Sequence, residues 1–285
     1  MMHMGDERVR VLFLLLLMPL PIVLGWGKEG HYAICKIAQI LLKVILLQCA
    51  LGRTRLGLIT TIVGVVLYIM LTRRISSVTT NTAVRDCHDS SKHKHRCVTG
   101  GIYNYTMQLK SADAGPSSEL NYNLTEALLF LSHFVGDVHQ PLHVGFLGDL
   151  GGNSITVRWY RRKTNLHHVW DDMIIQSALK TFYDSDLSIM IQAIQRNITD
   201  NWSNDVSIWE HCAHNYTACP DRYASESISL ACKFAYKNAT PGSTLEDEYF
   251  LSRLPIVEKR LAQGGVRLAA ILNRIFASKT RIAQA

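Results

Sequence analysis

Among the 285 residues, the stretch Leu131-Ser-His-Phe-Val-Gly-Asp-Val-His-Gln-Pro-Leu-His143 sets His133, Asp137, His139 and His143 among mostly apolar neighbours. His133 and Asp137 are four residues apart. On a helix they lie one turn apart on one face, where an imidazole nitrogen and a carboxylate oxygen can aim at one point. A second pair of the same form, His167 and Asp171, lies in Asn165-Leu-His-His-Val-Trp-Asp171. A lone pair of this kind is more often a satisfied core hydrogen bond than a metal site. Two of them, with His143 between, point to nitrogen and oxygen ligation of zinc and to more than one ion. His139 and His168 fall outside the spacing and read as supporting or surface residues.

These pairs need helices to carry them. Asn123 is a fitting N-cap with Glu126 three residues on, and apolar residues then follow at helical spacing. Pro141 should end that helix, so that His143 approaches from a different direction than His133. Gly151-Gly-Asn-Ser-Ile-Thr-Val reads as a loop or hairpin beside the site. The C-terminal half reads as helices over Asn165 to Lys180, Leu187 to Asn204, Tyr223 to Tyr236 and Asp247 to Phe276, with a bend at Gly264-Gly265. No internal repeat or linker interrupts the chain, so one large, mostly helical (all-α) domain is expected.

The N-terminus places Arg8 and Arg10 before a short apolar run, Val11 to Leu24, ending in Gly25. That is the pattern of a secretory signal peptide, too short for a spanning helix, and cleavage after Gly25 would make Trp26 the new N-terminus. Seven cysteines suit an oxidising compartment, with Cys87 and Cys97 closing a short loop and Cys212, Cys219 and Cys232 clustered later. Asn-x-Ser/Thr triplets at Asn104, Asn123, Asn197, Asn201, Asn215 and Asn238 are glycosylation candidates.

The formal net charge is +7, but Lys43, Arg53, Arg55, Arg73 and Arg74 fall in one unusual stretch, leaving about +2 for the rest. Global charge is therefore weak evidence for a nucleic-acid partner. The local cluster Arg158, Arg161, Arg162 and Lys163 reads equally as solvated surface or as phosphate contact.

The runs His-Phe-Val-Gly-Asp-Val-His-Gln-Pro-Leu-His143, Gly-Gly-Asn153 and Asn-Leu-His-His-Val-Trp-Asp171 resemble the S1/P1 nuclease family, and within it the plant bifunctional nucleases of the endonuclease 1 to 5 type. The resemblance covers Trp26 to about Ile40 and resumes near Asp86. It implies a fold of the phospholipase C/P1 nuclease type over 26–285 and a three-zinc cluster. Asp137, the catalytic bridging carboxylate, would join two ions, with His133 on the first and Trp26 and His31 on the next. His143, His167 and Asp171 would hold the third, and Asn153 would meet the scissile phosphate. It further implies cleavage of single-stranded DNA and RNA to 5′-phosphate products, 3′-nucleotidase activity, and a secreted or vacuolar monomer.

Residues 41–82 depart from that pattern. They contain no Asp, Glu or His, so the Trp-Pro-Asp and Leu-His-Tyr motifs that complete the family's first zinc site are missing. An alternative splice form or translated non-coding sequence would leave such a gap between good matches. The ligand-rich run Asp86 to His95 resembles a family loop that holds no metal. Residues 56–71 are apolar between arginines, which also admits a membrane anchor. The readings to set against an active nuclease are an inactive or membrane-tethered family member and a zinc phospholipase C.

Overall fold

The computed structural model describes residues 26–42, 87, 97–111 and 122–276. The expected leader, the candidate anchor at 56–71, Cys49 and the run from Asp86 to His95 apart from Cys87 lie outside them. Among the described residues no helix is long and apolar enough to cross a membrane.

The molecule is mostly helical. It comprises α1 (Lys28–Leu41), α2 (Val98–Ser111), α3 (Leu124–Asp137), α4 (Ile174–Phe182), α5 (Leu187–Asp200), α6 (Ser203–Glu210), α7 (Pro220–Leu230) and α8 (Asp247–Phe276). A small sheet of order β2-β1-β3 is made by β1 (Thr156–Trp159), β2 (Arg162–Asn165) and β3 (Thr244–Leu245). β1 and β2 form the expected hairpin, in a register that pairs Arg158 with Lys163 and Trp159 with Arg162.

The long helix α8 is the spine against which α1, α3, α4, α5 and α6 pack. α1 buries Ala33, Ile34, Ile37 and Ala38, a stripe at helical spacing that faces α8. α8 runs unbroken through Gly264 and Gly265. They let α1 approach: a Cβ on Gly265 would lie 2.4 Å from Ile37 Cγ2. The expected single helix from Leu187 to Asn204 is instead α5 and α6, divided at Asn201 and Trp202.

α8 also carries Arg253, Arg260, Arg267 and Arg274 at seven-residue intervals, and each guanidinium reaches carbonyls beyond its own helix. Arg253 donates to Phe234 and Lys237, Arg260 to His139, Arg267 to Trp209 and Arg274 to Thr217 and Glu210. Several of these carbonyls lie at helix ends, where a cation is favoured by the partial negative charge of unsatisfied C=O groups.

Cys87–Cys97 and Cys212–Cys219 are disulfides. Cys232, expected in the latter cluster, is instead exposed on the π-helical turn Ala231–Ala235 and unbridged. Asn104, Asn123, Asn201 and Asn238 are exposed, whereas Asn197 is half-buried and accepts from Asn201 Nδ2 at 2.6 Å. Asn215 ends a 3₁₀ turn, Ala213–Asn215. Asn123 caps α3, its side chain accepting from Glu126 N at 3.1 Å.

Candidate metal centre

α3 carries His133 and Asp137 in its last turn and ends there. Gln140 then caps a 3₁₀ turn, Pro141–Val144, that brings His143 round. Pro141 supplies the break expected of it. After the hairpin, Asn165 caps the short helix Leu166–His168. A π-helical turn, Val169–Met173, follows and places His167 and Asp171 on one face.

Two buried triads result: His31, His133 and Asp137, and His143, His167 and Asp171. The ligand atoms of each lie within 4.8 Å of one another. His31 Nε2 is 3.1 Å from Asp137 Oδ1, and His133 Nε2 is 3.2 Å from Asp137 Oδ2. In the other triad His143 Nε2 and His167 Nε2 each stand 3.3 Å from an oxygen of Asp171. Asp137 joins the two, with Oδ1 3.8 Å from His143 Nδ1.

These separations fit zinc. Two ligands at about 2.0–2.2 Å from a tetrahedral ion lie about 3.3 Å apart. Hydrogen bonding does not account for the arrangement: the Nε2 atoms of His31, His133, His143 and His167 and Asp137 Oδ1 are buried without a hydrogen-bond partner. Such orphans are costly in a core unless something else accepts their lone pairs. The His31 and His133 rings stack at 4.3 Å. Burial above all lowers the His133 pKa to about 4, with His31 and His143 adding to the effect against Asp137. Burial also lowers His167. Burial works against ionisation of Asp137, but His133, His31 and His143 together hold its pKa below the usual value. Burial likewise lowers His143, yet Asp171 and Asp137 raise it net.

Close packing sets the directions of the ligands. His167 Nδ1 donates to the Gly151 carbonyl at 2.7 Å, which fixes the tautomer and leaves Nε2 a lone pair. Gly151 has φ +63°, and a Cβ there would lie 2.4 Å from the Leu142 carbonyl oxygen. Gly136 gives His31 its room: a Cβ would meet His31 Nδ1 at 2.5 Å. Gln140, given no role from sequence, is fully buried and donates to Asp171 Oδ1 at 2.6 Å. Its position in a His-Gln-Pro run carries no signal for that contact, which depends on where the π-helical turn packs.

The remaining sequence candidates divide. Trp26 is buried beside the site, and Gly27 N donates to the Asp171 carbonyl at 2.9 Å. Asn153 sits half-buried in the loop after Gly151, its Nδ2 donating to the Leu150 carbonyl at 2.9 Å. His139, read as supporting or surface, is fully buried and faces away from the ligands, between Val135 O and Arg267. His168 pairs with Asp172 at 3.1 Å and is partly exposed. From sequence His133 and Asp137 stand alone on the first ion. In the structure His31, expected on the next ion, lies against the same Asp137, so the three side chains converge on one carboxylate.

A model of the S1/P1 nuclease family matches residues 72–277, starting earlier than the resemblance near Asp86 and leaving out α1. Endonuclease 4 of Arabidopsis thaliana is 59% identical over 90% of this chain and 91% of its own length. Endonuclease 5 of the same plant is 54% identical over 91% and 93%. Nuclease P1 of Penicillium citrinum is 32% identical over 68% and 70%. The chain belongs to the S1/P1 nuclease family. Members of that family are zinc-dependent single-strand nucleases of mostly helical fold, and nucleic acid is their substrate class.

Proposed function

We propose that this chain is a zinc endonuclease that cleaves single-stranded DNA and RNA to 5′-phosphate products and also acts as a 3′-nucleotidase. Its ligands are His31, His133, Asp137, His143, His167 and Asp171, with the amino end at Trp26. The observation that carries the reading is the pair of buried triads that meet at Asp137 with their nitrogen lone pairs unspent. Bound zinc would supply Lewis-acid polarisation of the phosphoryl group, activation of water and stabilisation of the departing oxygen.

The chain's own residues prepare that chemistry. Burial keeps His133 and His167 neutral, so their nitrogens remain donors to a cation at moderate pH. Gln140 and the Gly151 carbonyl hold Asp171 and His167 in one orientation. Asn153, on the loop after Gly151, is the residue we assign to the scissile phosphate. The exposed Arg158, Arg161, Arg162 and Lys163 of the hairpin leading into His167 offer charge to a strand backbone. An unpaired base can enter a stacking pocket closed to a duplex, which favours single strands. The signal-like N-terminus, the disulfides and the exposed Asn-x-Ser/Thr triplets support a secreted glycoprotein, extracellular or vacuolar.

The test is the mature chain, with and without zinc, on single-stranded and duplex oligonucleotides. Zinc-dependent cleavage of the single strand with 5′-phosphate ends is expected. A zinc-loaded protein that leaves every strand intact would instead mark a family member disabled by its atypical residues 41–82.

A further inference from the structure

We propose that the buried cluster of Arg260, Arg267, Glu226 and Ser227 is a positioning group for the metal centre. It would set the turn that joins Asp137 to Gln140 and His143. This rests on the reading of those triads as zinc ligands.

The turn is gripped from one side. Ser227 Oγ donates to the Val138 carbonyl at 2.5 Å. Arg260 Nε donates to the next carbonyl, His139, at 3.0 Å, while its other nitrogens reach Ser227 Oγ, Glu226 Oε2 at 3.2 Å and Gln263 Oε1 at 2.6 Å. Arg267 closes the group, 2.9 Å from His139 Nε2 and 2.8 Å from Glu226 Oε1. His139 in turn donates through Nδ1 to the Val135 carbonyl at 2.7 Å, inside the helical turn that carries Asp137. Thus the carbonyls of residues 138 and 139 and the ring of His139 are all held by side chains from α7 and α8.

The position of that turn decides both triads. Asp137 precedes it by one residue, and Gln140, which follows, supports Asp171. Arg260 and Arg267 are 1% and 0% exposed, and between them they face one partly buried carboxylate, Glu226. Two desolvated guanidiniums are an inefficient route to stability, since apolar replacements of buried ion networks are often neutral or better. Two carbonyl oxygens and one imidazole nitrogen can be fixed in direction only by donors, and fixing the backbone that follows Asp137 fixes the direction from which Asp137 and Gln140 leave it.

The test uses the mature full-length chain with Ser227→Ala, Arg260→Met and Arg260→Lys. Arg253→Met serves as a control from another rung of the same arginine series, which holds Phe234 and Lys237 instead. Two quantities are measured: zinc affinity by competition with a chelator, and the melting temperature of the zinc-free protein. Ser227→Ala and Arg260→Met should each weaken zinc affinity by roughly 10- to 100-fold. Arg260→Lys should recover part of the loss, and Arg253→Met should lower the melting temperature with zinc affinity unchanged. Ser227→Ala removes a single hydroxyl and keeps the test alive should Arg260→Met fail to fold. Melting temperatures that fall while zinc affinities stay at the unmodified value would overturn the positioning role. So would an Arg253→Met loss of affinity equal to that of Arg260→Met. An unmodified protein that takes up no zinc would overturn the metal reading itself, a separate outcome.

Discussion

The two triads use the same three residue types but are held differently. In the triad of His143, His167 and Asp171, two ligands have a partner behind them: the Gly151 carbonyl for His167 and Gln140 for Asp171. All three come from a span of under thirty residues. In the triad of His31, His133 and Asp137, His31 arrives on α1 from the far end of the domain. Among the described residues none stands behind its ring as Gln140 and the Gly151 carbonyl do in the other triad; packing over Gly136, stacking on His133 and the 3.1 Å approach of Nε2 to Asp137 Oδ1 fix it. The triad of His143, His167 and Asp171 is therefore preorganised by hydrogen bonds. The triad of His31, His133 and Asp137 depends on helix docking and on the ion itself.

The comparison breaks most severely at Asp137, which belongs to one triad and stands 3.8 Å from His143 of the other. Asp137→Asn should cut phosphodiesterase activity on the order of 10³-fold or more, because the carboxylate that His31 and His133 face, and that His143 approaches, loses its charge; initial rates on a single-stranded oligonucleotide measure it. Gly136→Ala tests the docked triad alone. It should destabilise the protein by about 1–3 kcal/mol through overpacking against His31 and release metal from that triad while the other keeps its own, read as zinc per chain by elemental analysis. Gln140→Leu is the converse, and should weaken zinc at the hydrogen-bonded triad by roughly 10- to 100-fold in a chelator titration.

Acid sharpens the contrast. In the zinc-free protein His133 has a folded pKa of about 4, below the ordinary 6.5, so the unfolded chain binds the extra proton first. Its contribution to stability is present above about 6.5 and is lost as pH falls toward 4. His167, also lowered, adds to this loss, and His143, raised, opposes it. The melting temperature of the zinc-free protein should fall over that window, and His133→Gln should flatten the dependence. The smallest effect is expected outside both triads. Arg161→Ala with Arg162→Ala should lower the salt slope of strand binding by about 0.7 for each phosphate contact removed, with zinc content unchanged.

Much of the site was legible because helical spacing is local. His133 with Asp137 and His167 with Asp171 are visible as pairs, and Pro141 announces the turn that re-aims His143. The helix over Asp247 to Phe276 has the bounds that its apolar spacing predicts. The arginines at 253, 260, 267 and 274 were also visible as a seven-residue series, but charged side chains default to a solvated face, and only burial shows otherwise. Gly264 and Gly265 were ambiguous for a related reason: a glycine pair permits a bend or a close approach, and only the packed structure shows Ile37 of α1 against Gly265.

The sequence by itself determined which atoms could bind a cation, the helical register that pairs them and the family to which they belong. The tertiary structure decided that His31 joins His133, that Asp137 faces both triads, and that Gln140 and the arginines of α8 stand behind them. Those contacts cross between helices far apart in the chain, where the register of packed apolar faces, and not the spacing of ligands, sets what meets.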